Sequence, residues 1–262
     1  MSDDQLKSKV QDQFGKNAEK YVKSAIHAKG TDLNAMIEWL TPSDNWVVID
    51  IATGGGHVSK TLSPFVDHVY ATDLTPQMLT TARKHLAPGC KNVSYIIADA
   101  ETLPFLENTF DAAVCRIAAH HFPNPQKFVA EISRVLKPKG KFLLIDNIAP
   151  EEAELDLFMN TTEKLRDDSH GRCFTIKEWS SWFEQNDLVI TKSEKRRKTF
   201  DFPVWVKRTT SSEDQVQSVV KHILNANQIT LDYFSVNAQN GEITSFQIDE
   251  WMVLTEKSSN PK

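Results

Sequence analysis

Apolar and polar positions alternate along the first 150 residues in a way that predicts strands interleaved with helices. Val47–Ile51 is an apolar run holding one acid, Asp50, and it ends in Ala52-Thr53-Gly54-Gly55-Gly56. That pattern predicts a buried strand breaking into a tight turn that opens a helix up to about Leu62. Further strands are expected at Asp67–Asp73, Val93–Ala98, Phe110–Arg116 and Lys141–Asn147. Between them, Thr75-Pro76 reads as a cap and first helical residue, with the helix running through Leu86, and Phe128, Ile132, Val135 and Leu136 keep helical spacing. Before the first strand, residues 5–40 read as helical, with Pro42-Ser43-Asp44 as the break.

After Asn147 the rhythm changes. Helices are expected over Glu151–Arg166, Thr175–Gln185 (with a capping box from Thr175 and Glu178) and Glu213–Ile229. Leu188–Phe200 and Ile243–Thr255 read as strands, the second with Phe246 and Ile248 set against Ser245 and Gln247. Strand–helix alternation implies a parallel sheet covered on both faces, and the late strands would add an antiparallel edge. Ligands on such sheets bind outside the carboxyl ends of the strands, where Asp73, Asp99 and Arg116 are expected.

Glycines at a strand-to-helix turn let a ligand press on bare backbone, and the helix amides behind them attract polar groups. Asp50 would repel a phosphate there and welcome an ammonium. Composition narrows the field further. The chain has 262 residues and a formal net charge of −5, enough for one large α/β domain and a poor match to a nucleic-acid surface. No apolar run reaches the ~20 residues that cross a bilayer, and the first residues lack the features of a secretory signal. Cys90, Cys115 and Cys173 lie too far apart for a disulfide framework or a metal knuckle, so a cytoplasmic location is expected and no metal.

The order Asp50-Ile-Ala-Thr-Gly-Gly-Gly, Asp73, Ala98-Asp-Ala-Glu-Thr-Leu-Pro-Phe105, Phe110-Asp111 and Arg134-Val-Leu-Lys-Pro-Lys-Gly140 resembles the class I S-adenosylmethionine-dependent methyltransferases. Among them it is most similar to the small-molecule branch that includes the ubiquinone/menaquinone-biosynthesis C-methyltransferases. The resemblance implies a Rossmann-like, seven-stranded, mostly parallel sheet with an antiparallel C-terminal edge. It implies one domain over 1–262, divided into a helical N-terminal lid (1–41), a cofactor core (42–149) and an acceptor side (150–262). S-adenosyl-L-methionine would be the cofactor, giving its methyl to a small molecule by in-line displacement.

Carried over position by position, Ala52, Thr53, Gly54, Gly55 and Gly56 would lie under the methionine part of the cofactor, with Ala52 standing where the family usually has glycine. Asp50 would hold the ammonium. Asp73 would take both ribose hydroxyls, Leu74 and Met78 would pack on adenine, and Asp99 would accept from its amino group beside Ala100 and Glu101. The Arg116 backbone would touch the methionine moiety while its side chain, at the site mouth, could pair with a carboxylate, and Tyr21, with Phe14, would belong to the lid.

Each position also has a plainer reading. Asp50 could only brace the turn, and Arg116 could pair with Asp111 or Glu131. Tyr21 and Phe14 could be core. His120 and His121, just past the fourth strand, are candidates to orient or deprotonate the acceptor, or else pack under a loop. Arg166 and Arg172 could bind an anionic acceptor or form a salt-bridged loop. The run Lys195-Arg196-Arg197-Lys198 fits a solvated edge strand better than a phosphate contact. Two other classes remain: a nicotinamide-dependent oxidoreductase, since Gly54-x-Gly56-x-x-Ser59 approximates the dinucleotide fingerprint, and a non-catalytic cofactor-binding module. The acceptor and the oligomeric state, a homodimer among the options, stay open.

Overall fold

The computed structural model describes residues 2–23 and 30–259, except for the side chains at 17, 19–23 and 31. Among the described residues the first elements are α1 (Asp3–Lys23) and α2 (Thr31–Leu40). The alternating core follows: β1 (Val47–Ile51), α3 (His57–Leu62), β2 (His68–Asp73), α4 (Pro76–Leu86), β3 (Val93–Ile97), β4 (Phe110–Arg116), α5 (Pro125–Val135) and β5 (Leu136–Ile148). The remainder is α6 (Ala153–Arg166), α7 (Ile176–Gln185), β6 (Leu188–Asp201), α8 (Phe202–Val206), α9 (Glu213–Leu224), α10 (Gln228–Tyr233), β7 (Asn237–Gln239) and β8 (Glu242–Lys257).

The strands form one sheet in the order β3-β2-β1-β4-β5-β8-β6. β1 to β5 run parallel to their neighbours, whereas β8 pairs antiparallel with both β5 and β6. The expected seven strands are all present. An eighth, β7, is a three-residue strand that turns back onto β8 through Asn240-Gly241, both at positive φ. Asn and Gly are the residues that adopt such a turn most cheaply.

Alternation in the central strands divides two cores. Ile49, Ile51, Ala113, Cys115, Phe142 and Leu144 face α5 and α7. Val48, Ala112, Val114, Leu143 and Ile145 face α2 and α3. Most of these side chains are fully buried, each contributing roughly 1.5–3 kcal/mol for the larger ones. A third core lies beyond the parallel strands, where the long β6 and β8 extend to pack Phe200, Phe246 and Ile248 on Met159, Trp205 and Val219. This extension builds one wall of the second chamber described below.

Some expected boundaries shift. β5 begins at Leu136 rather than Lys141, because Pro138-Lys139-Gly140 forms a bulge inside the strand, with Lys139 at φ 63°. The helix expected over Glu213–Ile229 is two helices, since Asn227 caps a new one by accepting from Thr230 N. Thr75 occupies the N-cap of α4, yet its hydroxyl makes no capping bond; Asp73 Oδ1 accepts from Thr75 N instead. The Thr175–Glu178 capping box is present.

Candidate active site

A cleft of about 1060 Å³ opens at the carboxyl ends of β1, β2 and β4. Its floor is the turn after β1. Ala52 and Gly54 have φ of 52° and 54°, the left-handed region, and Gly54 presents bare backbone beside Met78. Asp50 is buried beneath this turn. Its Oδ2 accepts from the Thr53 hydroxyl (2.5 Å), the Ser59 hydroxyl (2.6 Å) and Ser59 N (3.0 Å). All three bonds use one oxygen, so Oδ1 keeps its acceptor capacity toward the cleft. Bracing the turn and receiving a cation are therefore compatible roles. Burial pushes the Asp50 carboxyl up to about 6, against the bonds from Ser59 and Thr53.

Asp73, at the end of β2, accepts from Gly54 N through Oδ2 (3.0 Å) and from Thr75 N through Oδ1 (2.8 Å). The two amides fix the carboxylate plane and leave a lone pair on each oxygen for a ligand diol. Burial raises this carboxyl to about 6 as well. Leu74 and Met78 line the cleft beside it. Just past β3, Asp99 Oδ1 accepts from Glu101 N, while its Oδ2 is 2.6 Å from the Nζ of Lys7 on α1. Lys7 also reaches Glu101 Oε2 at 2.7 Å, and the other Glu101 oxygen accepts from Asn124 N. Ala98, Asp99, Ala100 and Glu101 all line the cleft.

Two further candidate residues, Gly56 and Arg116, make contacts within the fold. Gly56 does not line the cleft; a Cβ there would stand 2.7 Å from Leu86, so this glycine permits α3 to pack on α4. Arg116 lines the cleft, but its guanidinium is bound to Asp32 of α2, Nε to Oδ2 at 2.5 Å and Nη2 to Oδ1 at 3.1 Å. The partners expected for it are taken: Asp111 pairs with Lys137, and Glu131 with Arg134. The Tyr21 side chain lies outside the described residues. Phe14 is in place, lining the cleft and meeting the His121 ring edge-on with centroids 5.0 Å apart.

A second, polar chamber of about 560 Å³ adjoins the cleft, and Phe14, Ile117 and His121 belong to both. Ile117 has φ 54°, an outlier for a β-branched residue, held by its N–H to Ile145 O at 2.7 Å. Strain of this kind is tolerated where the surroundings over-determine the backbone. Behind this gateway, His120 Nδ1 lies 2.6 Å from Asp146 Oδ1, and its backbone N–H donates to Asp146 Oδ2. Burial pulls the His120 pKa down, but the charge and hydrogen bond of Asp146 outweigh it, and the net direction is upward. His121 Nδ1 donates to Ser169 O at 2.9 Å, which leaves Nε2 as the lone-pair nitrogen. Burial and the neighbouring His120 hold His121 down at about 4.

Arg166 lines the chamber, bound to Glu163 at 2.7 Å and lying over the Trp205 ring. Arg172 does not; its guanidinium is held by Asp156 (2.5 Å) and Glu178 (3.0 Å). The basic run on β6 is neutralised along the edge: Lys195 and Arg197 face Asp249, Arg196 faces Glu194, and Lys198 faces Glu250. Among the described residues no cluster could hold a metal ion, and no helix is long and apolar enough to cross a membrane. Lys7, Asp146 and Asn147 were not singled out by sequence reasoning. For Asp146 and Asn147 a signal existed, since two polar residues end the apolar run Phe142–Ile145 at a strand tip. Lys7 offered none.

Residues 49–144 match the family model described as a methyltransferase domain. An uncharacterized methyltransferase, YcgJ of Bacillus subtilis strain 168, is 37% identical over 235 residues, covering 89% of this chain and 93% of that protein. The crystal structure of YcgJ superposes with a TM-score of 0.85, covering 87% of this chain and 98% of that one. A ubiquinone/menaquinone biosynthesis C-methyltransferase of Brucella suis is 33% identical over 160 residues, covering 56% of this chain and 59% of that protein.

Proposed function

The chain belongs to the class I S-adenosylmethionine-dependent methyltransferases, and from that premise we propose that it methylates a small molecule seated in the polar chamber. The observation that carries this reading is the shared gateway: Phe14, Ile117 and His121 border both the cofactor cleft and the chamber. A methyl group can pass only where donor and acceptor sites touch.

The residues of the cleft fit the cofactor. Asp73 keeps one lone pair per oxygen for the two ribose hydroxyls, and Asp50 Oδ1 offers a negative end for the ammonium. Thr53, Gly54 and Gly55 supply a floor without bulk. Leu74 and Met78 give adenine an apolar face, and Asp99 with the Ala100 amide gives it hydrogen-bonding partners. When bound, S-adenosylmethionine supplies a methyl on a cationic sulfur whose departure needs no acid. Chain residues therefore act mainly by alignment and exclusion of water. α1 does both: Gln11 Nε2 donates to Leu74 O, Gln13 Nε2 donates to Thr209 O, and Phe14 closes on His121.

His121 would orient the nucleophile of the acceptor. Its Nε2 is a lone-pair acceptor at the gateway, and a neutral imidazole beside an arriving methyl cation equivalent adds no repulsion. His120, held by Asp146, would accept the proton that a hydroxyl or amine acceptor gives up. Titration calorimetry with S-adenosylhomocysteine and with NAD, followed by transfer of labelled methyl to a metabolite extract, tests the reading. Expected are tight binding of the first, none of the second, and labelled small-molecule product. Binding without any transfer would point to a cofactor-binding module, and binding of NAD alone would sink the proposal.

A further inference from the structure

The wall of the polar chamber carries more hydrogen-bond donors than its own acceptors use. Arg166 has five N–H groups. Its Nε and Nη2 donate to Glu163 Oε2 (3.2 and 2.7 Å), and Nη1 donates to Trp205 O at 3.5 Å. Two N–H groups of this buried guanidinium thus make no hydrogen bond among the described residues. Lys198 uses one of its three N–H groups on Glu250. Arg208 adds a third cation to the wall. Among the described residues the anions of the wall are two, Glu163 and Asp167, against three cations, and each is engaged through one oxygen. Glu163 takes two bonds from Arg166, and Asp167 Oδ1 accepts from Ser169 N (2.8 Å) and Ser169 Oγ (2.5 Å).

One wall atom has the opposite need. Asn147 Oδ1 is buried without a hydrogen-bond partner, although the Asn147 backbone N–H donates to Asp146 Oδ1 at 2.8 Å. A buried, unpaired carbonyl costs about 1–3 kcal/mol unless a ligand donates to it. It follows Asp146 directly on β5, beside the His120 dyad.

Resting on the methyl-transfer reading above, we infer that the methyl acceptor is a small hydroxy- or amino-carboxylate. Its carboxylate lies against Arg166 and Lys198, and its O–H or N–H donates to Asn147 Oδ1 close to the gateway. The nucleophilic oxygen or nitrogen gains the methyl, the proton it had shared with Asn147 Oδ1 passes to His120 as the new bond forms, and the sulfur keeps the electron pair of the broken bond. Among the described residues of the wall only Phe14, Ile117, Phe200 and Trp205 are apolar, which suits a compact polar body better than a long hydrocarbon tail.

The test is titration calorimetry on the full chain saturated with S-adenosylhomocysteine. The probes are 4-hydroxybenzoate and 2-hydroxybutyrate, the methyl ester of each, and a prenylated hydroquinone. At least one acid is expected to bind at millimolar or lower concentration, tenfold or more tightly than its ester, with no binding of the hydroquinone. Arg166→Gln should abolish the preference for acid over ester. Because that change strands Glu163, the double variant Glu163→Gln with Arg166→Gln repeats the measurement without a lone buried charge. Equal binding of acid and ester, binding of the hydroquinone in their place, or no binding of either acid overturns the inference. S-adenosylhomocysteine affinity, measured first on each sample, separates this failure from failure of the methyltransferase reading, which alone would remove it.

Discussion

Lys7 sets its ammonium 2.6 Å from Asp99 Oδ2, so a helix at the start of the chain is tied to the carboxylate expected to receive the adenine amino group. The same ammonium holds Glu101 at 2.7 Å. In this arrangement a cation already occupies the end of the cleft proposed for adenine, and the cofactor would have to share Asp99 or displace Lys7. Lys7→Met should therefore tighten S-adenosylhomocysteine binding. The pair is partly exposed, and such pairs contribute at most about 1 kcal/mol, so the gain is limited to roughly fivefold. Calorimetry on the variant checks it; weaker binding would show that Lys7 supports the adenine site.

Asp50 and Asp73 share one direction of pH dependence. Burial raises both carboxyls to about 6, against roughly 3.9 in the unfolded chain. Between those values the native protein holds more protons than the unfolded one. Stability of the ligand-free protein should therefore fall as pH rises from about 4 to about 6 and stay level above, with the acids otherwise unchanged. Cofactor affinity should move the other way, because ionised Asp73 is the better acceptor for ribose hydroxyls. S-adenosylhomocysteine titrations from pH 5 to pH 8 should show affinity rising to a plateau near 7. Asp73→Asn should lose about tenfold or more in affinity and flatten that rise. A wild-type affinity independent of pH would remove Asp73 from the site.

What could be read from the chain before its structure follows from how local each signal is. Asp73 and Asp99 were legible because each ends an apolar run, and strand ends define the ligand side of a parallel sheet. Gly54 and Gly56 looked alike in sequence, yet one faces the cleft and the other lets Leu86 approach, a difference fixed by α4. Arg166 and Arg172 were equally plausible in one loop. The last turn of α6 points the first into the chamber, while Asp156 and Glu178 hold the second elsewhere. Lys7–Asp99 and Arg116–Asp32 join distant segments, and nothing in spacing or periodicity announces such pairs. The same holds for His120–Asp146: His120 lies in the short 3-10 turn after β4 and Asp146 near the end of β5, and only the sheet order β4-β5 makes them neighbours.

His120 and His121, consecutive in the chain, should titrate on opposite sides of the ordinary histidine value. Their rings lie 4.3 Å apart. His120 faces Asp146, with Glu163 and Asp167 beyond, and burial does not overcome those charges. His121 is held at about 4 by burial first and by His120 second. Histidine proton resonances should show the His120 midpoint above 6.5 and the His121 midpoint near 4. Stability from His120 is present in full below 6.5 and is lost as pH rises through its raised value. Asp146→Asn should bring the His120 midpoint below 6.5, since burial then acts without its main opponent. His120→Gln should raise the His121 midpoint by removing the neighbouring charge. A single shared midpoint, unchanged in either variant, would contradict the assignment.

Ala52 carries a left-handed backbone, φ 52°, at the position where the family usually has glycine. The turn that demands this conformation is fixed from both sides: Thr53 N donates to Thr72 O at 2.8 Å, and Asp50 holds Thr53 and Ser59. An L-residue in that region loses about 1–2 kcal/mol to the clash of its Cβ with the following carbonyl. Glycine removes the clash and returns roughly 0.4–1 kcal/mol to the unfolded chain as entropy. Ala52→Gly should therefore stabilise the protein by about 0.5–1 kcal/mol, a rise of roughly 2–4 °C in Tm for each full kcal/mol in a chain of this size. Ala52→Val should do the reverse, because a β-branched side chain fits the left-handed region worst. Urea melts of the three proteins measure the order Gly, Ala, Val directly. If Ala52→Gly melts earlier than the wild type, the alanine methyl is making a packing contact in the turn that outweighs the strain.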